Sequence, residues 1–136
     1  MSTASQVYTA IADAIQATTV VQSHKGDSLR RYEGPLEEMP LRDRTFVLQS
    51  TSLDRVTERM GCQEWRLGLE AAIVYQLTSG ANARALLDVQ AISDAVLLQL
   101  GSTGITDIDE LGSSIDISER FITTTLTLSV SFSEGG

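Results

Sequence analysis

An alternation of apolar and polar side chains along two long stretches limits what this chain can fold into. In residues 64–78 every odd position is apolar, while most even positions are polar or small. Residues 120–133 alternate in the same way, with aliphatic or aromatic residues on one side and Thr or Ser on the other. A period of two is typical of a strand with one buried face. The sequence therefore predicts a sheet built around two long, one-sided strands.

The length of these strands adds a second constraint. At ~3.3 Å per residue the first stretch would reach about 50 Å, whereas most strands of globular proteins reach ~17–20 Å. Such a strand must bend, for which Gly68 is a suitable position, or extend past the body of one small domain. Strand length beyond the needs of a core indicates a subunit of an assembly.

Helical periodicity predicts one helix before these strands and one between them. The first covers residues 5–17, with Ser5 as its N-cap. The second follows Thr78, is about twenty residues long and ends near Gly101. Its predicted inward residues are Ala85, Leu86, Val89, Ile92, Val96, Leu97 and Leu100, and its predicted outward residues are Arg84, Asp88 and Asp94.

The remaining segments complete the predicted fold. Residues 45–52 are expected to form a strand, followed by a polar connection to Cys62, and residues 18–21 to begin a short strand. Residues 101–119 are rich in Gly, Ser and Asp and predict a loop. The order of elements predicts an α+β fold, in which helices pack on one face of a mostly antiparallel sheet. A chain of 136 residues is expected to form one domain, 1–136, with a long irregular loop at 24–44.

Charge is divided unevenly along the chain. Residues 24–66 balance eight basic residues against eight acidic ones, whereas residues 67–136 have two arginines and nine acidic residues, a net charge of −7. The overall net charge of −8 argues against direct, sequence-specific nucleic-acid binding, which requires a basic face. Because neither a signal peptide nor a long apolar segment is apparent, no membrane partner is expected.

Residues suited to catalysis are few. His24 and Cys62 are the only histidine and the only cysteine. They cannot form a zinc site by themselves, and a Cys/His nucleophile would lack an orienting third group. A solvated histidine and a packed cysteine are the favoured interpretation. The alternative is a small hydrolase that uses this pair.

Other possible binding motifs also have simpler interpretations. The glycines of residues 101–104 lack the Gly-Lys-Ser/Thr of a phosphate loop and favour a turn that ends a helix. Trp65, Tyr75 and Phe132 lie on the apolar faces of their strands, which favours packing over base stacking. The spacing of the acidic residues after the second helix does not match a calcium loop. We therefore expect no enzyme activity, metal or cofactor.

One region is a candidate for protein contacts. The irregular loop contains the only clustered bases, interleaved with acidic residues, which favours a solvated loop and leaves a protein interface as the alternative. If it is an interface, the uneven charge predicts contact with acidic positions on a neighbouring copy or partner. The candidate interface residues are Arg30, Arg31, Tyr32, Arg42 and Arg44 on the first side, and Asp107, Asp109 and Glu110 on the second.

The order of elements resembles a known family. The chain has a short helix with Ala-Ile-Ala-Asp-Ala-Ile, a strand Arg-Thr-Phe-Val-Leu-Gln, a long strand Glu-Trp-Arg-Leu-Gly-Leu-Glu-Ala-Ala-Ile-Val-Tyr-Gln-Leu, an acidic helix and a final Thr-rich strand. This series resembles the tail terminator, or tail completion, proteins of long-tailed bacteriophages such as lambda. The resemblance spans most of the chain but rests on pattern and length, without a signature motif.

The resemblance implies a structural role in the virion. It implies a subunit of a hexameric ring that caps the tail tube, stops tube polymerisation and joins tail to head. The implied partners are other copies of the chain, the tail-tube protein and a head-completion or connector protein. The implied location is the head-proximal end of the tail, and the host cytoplasm during assembly. The alternatives within this class are a head–tail connector or neck subunit and a tail-tube protein.

Overall fold

The computed structural model describes residues 3–17, 30–34, 38, 45–59, 62–76, 81–101, 104–118 and 120–134. Within these residues the chain forms two helices and five strands. In chain order they are α1 (Ala4–Gln16), β1 (Arg30–Tyr32), β2 (Thr45–Arg59), β3 (Cys62–Gln76), α2 (Ala81–Leu97), β4 (Ile105–Ile117) and β5 (Phe121–Glu134). Neither of these helices has the length and hydropathy needed to cross a membrane.

The strands form one sheet in the order β1-β2-β3-β5-β4. The short β1 runs parallel to β2, and every other neighbouring pair is antiparallel. Both helices pack against the same face, where their buried residues join those of β2, β3, β4 and β5 in one core. The predicted α+β fold, with a mostly antiparallel sheet and helices on one face, is confirmed.

The register confirms the side chains predicted to face the core. Leu69 of β3 is paired with Leu128 of β5, and Ala71 with Leu126. These residues and Ile73 are buried on the face that carries the helices. The opposite face has a smaller cluster, in which Val47, Ala72 and Val74 are buried and Tyr32 and Phe121 are partly buried.

The sheet has four long strands, where the sequence predicted two. The prediction that β2 stops at residue 52 was wrong, as was the prediction that residues 101–119 form a loop. The register of β2 shifts between Ser50 and Ser52 and again between Arg55 and Thr57, and β4 has two similar shifts. Each bulge resets the alternation. The period-two pattern therefore predicts only the first part of β2 and misses β4.

The irregular loop predicted for 24–44 is also interrupted by structure. Arg30–Tyr32 form β1, which pairs with Thr45, Phe46 and Val47 of β2. Three residues are too few to show a periodic pattern, so the sequence does not reveal this strand. The rest of that prediction, apart from residues 33, 34 and 38, lies outside the described residues, as does the strand predicted for 18–21.

The helices begin and end differently from the predictions. The cap of α1 is Thr3 instead of Ser5. Its hydroxyl accepts a hydrogen bond from the Gln6 backbone N–H at 3.2 Å, while the Gln6 side chain accepts one from the Thr3 N–H at 3.0 Å. α2 ends at Leu97, and Gly101 adopts a positive φ of 87° in the following turn, as predicted for the end of the helix.

The inward face of α2 contains an acidic residue that the sequence places outside. Asp88 is buried and its carboxylate accepts a hydrogen bond from the Tyr75 hydroxyl at 2.9 Å. Leu86 and Leu97 are exposed on the helix, and Leu100 is exposed beyond its end. A buried polar group requires partners. The contact with Tyr75 explains how a carboxylate occupies a position that the pattern assigns to solvent.

Candidate assembly interface

The two edges of the sheet expose backbone groups. β4 pairs with β5 along one side, and none of the described residues pairs with its other side. At the opposite edge β1 covers Thr45, Phe46 and Val47, so residues 48–59 of β2 pair with no strand on their outer side in the described part of the chain. Unpaired N–H and C=O groups along an edge are a template for another strand. Both edges are therefore candidate interfaces.

The β4 edge also exposes large apolar side chains. Leu111 is 66% exposed, Ile117 65% and Ile115 38%, although aliphatic residues in a strand usually contribute to a core. Of the residues in β4, only Ile105 and Ile108 are buried. β4 contains neither Lys nor Pro, the residues that commonly protect an edge from pairing, and its charges are all acidic. This edge combines apolar contact area with negative charge.

The structure separates the two groups of candidate interface residues. Asp107, Asp109 and Glu110 lie exposed on β4. Arg30, Arg31 and Tyr32 form β1 at the other edge. Arg42 and Arg44 lie outside the described residues, and Arg30 is described by its backbone alone. The acidic group and β1 cannot meet within one copy, since three long strands lie between them.

Arg31 and Tyr32 have contacts within the chain. The Arg31 guanidinium lies 3.4 Å from the Asp13 carboxylate at the end of α1 and 3.5 Å from Glu33, and its side chain is 19% exposed. Tyr32 packs against the buried cluster of Val47, Ala72 and Val74. Both residues hold β1 against the body of the domain. Any contact with another copy would add to these roles.

Beyond β1, the β2 edge borders an open cleft of about 490 Å³. The cleft lies between the first turns of α1 and the middle of β2. Tyr8 also spans these elements, because its hydroxyl donates a hydrogen bond to the Leu48 carbonyl. The cleft is lined by Ala4, Ser5, Tyr8, Ser50, Thr51, Ser52, Leu53 and Leu67. An open space therefore borders the uncovered part of the β2 edge.

The β2 bulge explains the glycine of the long strand β3. Ser50 is paired with Leu69, and Ser52 with Gly68, so Thr51 is the extra residue. A Cβ on Gly68 would lie 2.5 Å from the Ser52 hydroxyl oxygen and 2.6 Å from that of Thr51. Because both side chains lie over Gly68, a side chain there would require them to move. The sequence suggested Gly68 as the position for a bend of the long strand β3; the irregularity lies in the neighbouring strand β2, beside Gly68.

A cationic side chain lies farther along β2. The Arg55 guanidinium is 4.9 Å from the centre of the Trp65 ring, which is close enough for a cation–π interaction. The two residues are register partners on β2 and β3. Arg55 is exposed, while Trp65 is partly buried against the core. This arrangement holds a positive charge beside the unpaired edge.

The residues considered for chemistry do not form a described site. His24 lies outside the described residues, and Cys62 is the first residue of β3 but its side chain is not described. The described His, Cys, Asp and Glu residues form no group that could hold a metal ion. Tyr75 and Phe132 are fully buried, and Trp65 packs against the same core. The aromatic residues therefore contribute to packing, as predicted.

The fold and the edges of its sheet are the basis for inferring the function of this protein. No protein-family model matches this sequence, and no curated protein matches it.

Proposed function

We propose that this chain is a structural subunit that assembles with copies of itself into a ring, and that the ring caps the tail tube of a long-tailed bacteriophage. The observation that carries the proposal is the pair of dissimilar edges of one long sheet. The β4 edge is acidic with exposed Leu111 and Ile117. The other edge has Arg55 next to Asp54 on β2, and Arg31 of β1 is ion-paired with Asp13, so this edge lacks the acidic excess of β4. Two different surfaces at opposite ends of a subunit suit head-to-tail contact.

Head-to-tail contact has a defined geometric outcome. A contact between two different surfaces forms a ring if the rotation between copies closes, and a filament if it does not. Contact of β4 with β4 would bring like charges together, including Asp107, Asp109 and Glu110 of both copies. Like charges placed opposite each other destabilise strand pairing. The charges of β4 therefore favour contact with a different edge.

The place of the ring in the virion rests on the family resemblance. A tail terminator would form a hexamer at the head-proximal end of the tail, halt polymerisation of the tail-tube protein and present its other side to a head-completion or connector protein. It would be present in the host cytoplasm during assembly. Such a role needs shape and contact surfaces and requires neither catalysis nor a cofactor.

The experiment has two stages. Native mass spectrometry at micromolar concentration is expected to give one closed oligomer, at low and at high salt. Negative-stain images with the cognate tail-tube protein are expected to show rings at one end of tubes, whose mean length falls as more of this protein is added. A variant carrying Leu111→Ser and Ile117→Ser, both at exposed positions, is the matched loss-of-contact control.

Each alternative has its own result. A strictly monomeric protein under all conditions would overturn the assembly proposal. Growth of this protein alone into tubes of unlimited length would identify a tail-tube protein. Rings that bind portal or head preparations but leave tube length unchanged would identify a connector or neck subunit.

A further inference from the structure

We propose that β4 of one copy adds to the unpaired edge of β2 in a second copy, as an antiparallel strand beside the cleft at α1. The proposal rests on the proposed self-assembly and identifies the contact that produces it. The partner is a second copy of this chain, and the new pairing begins beyond Leu48 of β2, because β1 covers residues 45–47 and the Leu48 carbonyl already accepts a hydrogen bond from Tyr8.

Strand direction supports this pairing. β2 is antiparallel to β3, β3 to β5, and β5 to β4, so β2 and β4 run in opposite directions within one copy. A second copy placed beside the first, with its sheet facing the same way, therefore brings β4 antiparallel to β2. The alternation of directions continues across the boundary, which is the condition for an extended antiparallel ladder.

The two edges also match in the position of their bulges. Through the register of the sheet, residues 105–113 of β4 lie in the rows of residues 55–48 of β2, so an added β4 without an axial offset would face eight of the twelve uncovered residues. The β2 bulge lies beside Leu69, which is paired with Leu128, and the β4 bulge lies beside the same Leu128. Both edges therefore have an irregularity at one height of the sheet. Neighbouring copies without a large axial offset would bring these irregularities together.

Exposed apolar side chains support this arrangement, whereas the charges near one end of it are mixed. At the height of the bulges, the exposed Leu111 of one copy would come beside the cleft of the next, where Leu53 is 47% exposed. Farther along, Arg55 shares its row with Ile105, and Asp107 lies in the adjacent row with Asp54 and Arg66. In these two rows β2 has one cation, Arg55, and one anion, Asp54, and Asp107 would lie beside Asp54, with Arg55 and Arg66 as the nearest compensating charges. The case for the pairing therefore rests on strand direction, bulge position and apolar contact.

β1 limits the extent of the contact. It lies where the far end of an added β4 would otherwise pair, beside Thr45, Phe46 and Val47. Without an axial offset, residues 114–116 of an added β4 would fall in the rows that β1 already occupies, so the added strand can pair through Gly112 and must diverge from the edge beyond it. Because Arg31 of β1 is paired with Asp13 of α1, this boundary is fixed to the body of the domain.

Disulfide trapping tests the contact directly. The only cysteine is Cys62, so Cys62→Ser provides the background. Ser50→Cys is placed in one tagged population and Glu110→Cys in another, since both positions are exposed and belong to the same row of the sheet. Ser113→Cys, two register pairs farther along β4, replaces Glu110→Cys in a parallel sample to detect a small offset. Circular dichroism verifies that each variant is folded.

Mild oxidation of the mixed populations is expected to give disulfide-linked pairs that contain one copy of each type. Ser50→Cys alone is expected to give no more linked product than the Cys62→Ser background, and the same is expected of Glu110→Cys alone. Ser50→Cys mixed with Gln90→Cys, on the exposed side of α2, is the matched negative control. A mixed product with either β4 position supports the proposed edge pairing.

Three results would overturn it. Closed oligomers in native mass spectrometry without a mixed disulfide would leave the ring intact and refute this contact. Abundant linkage in the Glu110→Cys sample alone would show that β4 pairs with β4. A monomer at every concentration would refute the contact together with the assembly proposed above.

Discussion

Truncation of Leu128 tests the core that supports both edges. Leu128 is fully buried at the centre of the sheet, where its strand is hydrogen-bonded to β3 on one side and β4 on the other. Removal of a buried leucine side chain to alanine costs ~2–5 kcal/mol, depending on how far the surroundings can relax. A strand held on both sides relaxes little. We therefore expect Leu128→Ala to lower the free energy of unfolding by about 3–4 kcal/mol.

This loss corresponds to a measurable change in melting temperature. For 136 residues, an unfolding entropy of ~2.1 cal/mol/K per residue gives about 0.29 kcal/mol/K. The expected decrease in Tm is therefore about 10–14 °C. Thr127→Ala is the matched control, because Thr127 is the adjacent residue, points to the opposite face and is only partly buried. Its expected cost is at most ~1 kcal/mol, or about 3 °C.

Both variants are measured by thermal and urea unfolding at a concentration where size-exclusion chromatography shows one species, because self-association stabilises the folded state. Equal losses for Leu128→Ala and Thr127→Ala would refute the assignment of core and outer faces. A loss below ~1 kcal/mol for Leu128→Ala would show that the site collapses without a cavity and that this part of the sheet is not closely packed.

Three further predictions concern the cap, the buried pair and the arginines. Thr3→Ala is expected to cost ~1 kcal/mol in urea unfolding, whereas Ser5→Ala is expected to remain within ~0.5 kcal/mol; the reverse order would restore Ser5 as the cap. Tyr75→Phe removes a hydrogen bond to the buried carboxylate of Asp88 and is expected to lower the free energy of unfolding by ~1.5–3 kcal/mol. Tyr8→Phe removes a hydrogen bond to a backbone carbonyl and is expected to lower it by ~1 kcal/mol. Equal losses would argue against a special role of Asp88. An exposed ion pair contributes only ~0–1 kcal/mol, so several charge reversals together are expected to be needed to block assembly. The test is the quadruple variant Arg30→Glu, Arg31→Glu, Arg42→Glu and Arg44→Glu, followed by native mass spectrometry over a range of ionic strengths. Unchanged assembly of the folded variant at every ionic strength would remove these four arginines from the interface.

The predictable part of the fold is the part with uninterrupted periodicity. β3 and β5 lie at the centre of the sheet, where one face is covered along most of their length, and burial imposes a strict period of two on their sequences. α1 is predictable for the same reason, since Val7, Ile11 and Ile15 form a regular helical stripe. Central position and regular burial therefore explain why the fold class follows from the sequence.

The candidate interface is harder to predict because edge strands obey weaker constraints. β4 has one neighbour, exposes most of its side chains and contains two bulges, so its sequence looks like a polar loop. The signal that could have revealed it is the apolar content of that segment, where Ile105, Ile108, Ile115 and Ile117 occur among the acids. The prediction that Asp88 faces outward was wrong for another reason. Its hydrogen-bond partner is thirteen residues away, and the helical pattern cannot show such a contact.

The bulge at Thr51 has a consequence for the evolution of this sequence. Removal of this one residue would leave Ser50 opposite Leu69 and Ser52 opposite Gly68, so the rest of β2 would keep its partners, and the ladder would be regular as far as the second shift at Arg55. The two hydroxyl side chains would then no longer lie together over Gly68, and position 68 could accept a larger residue. We expect relatives with a one-residue gap at 51 to tolerate alanine or serine at 68, and relatives that retain the insertion to retain glycine. An insertion and a distant glycine would then be inherited as one unit.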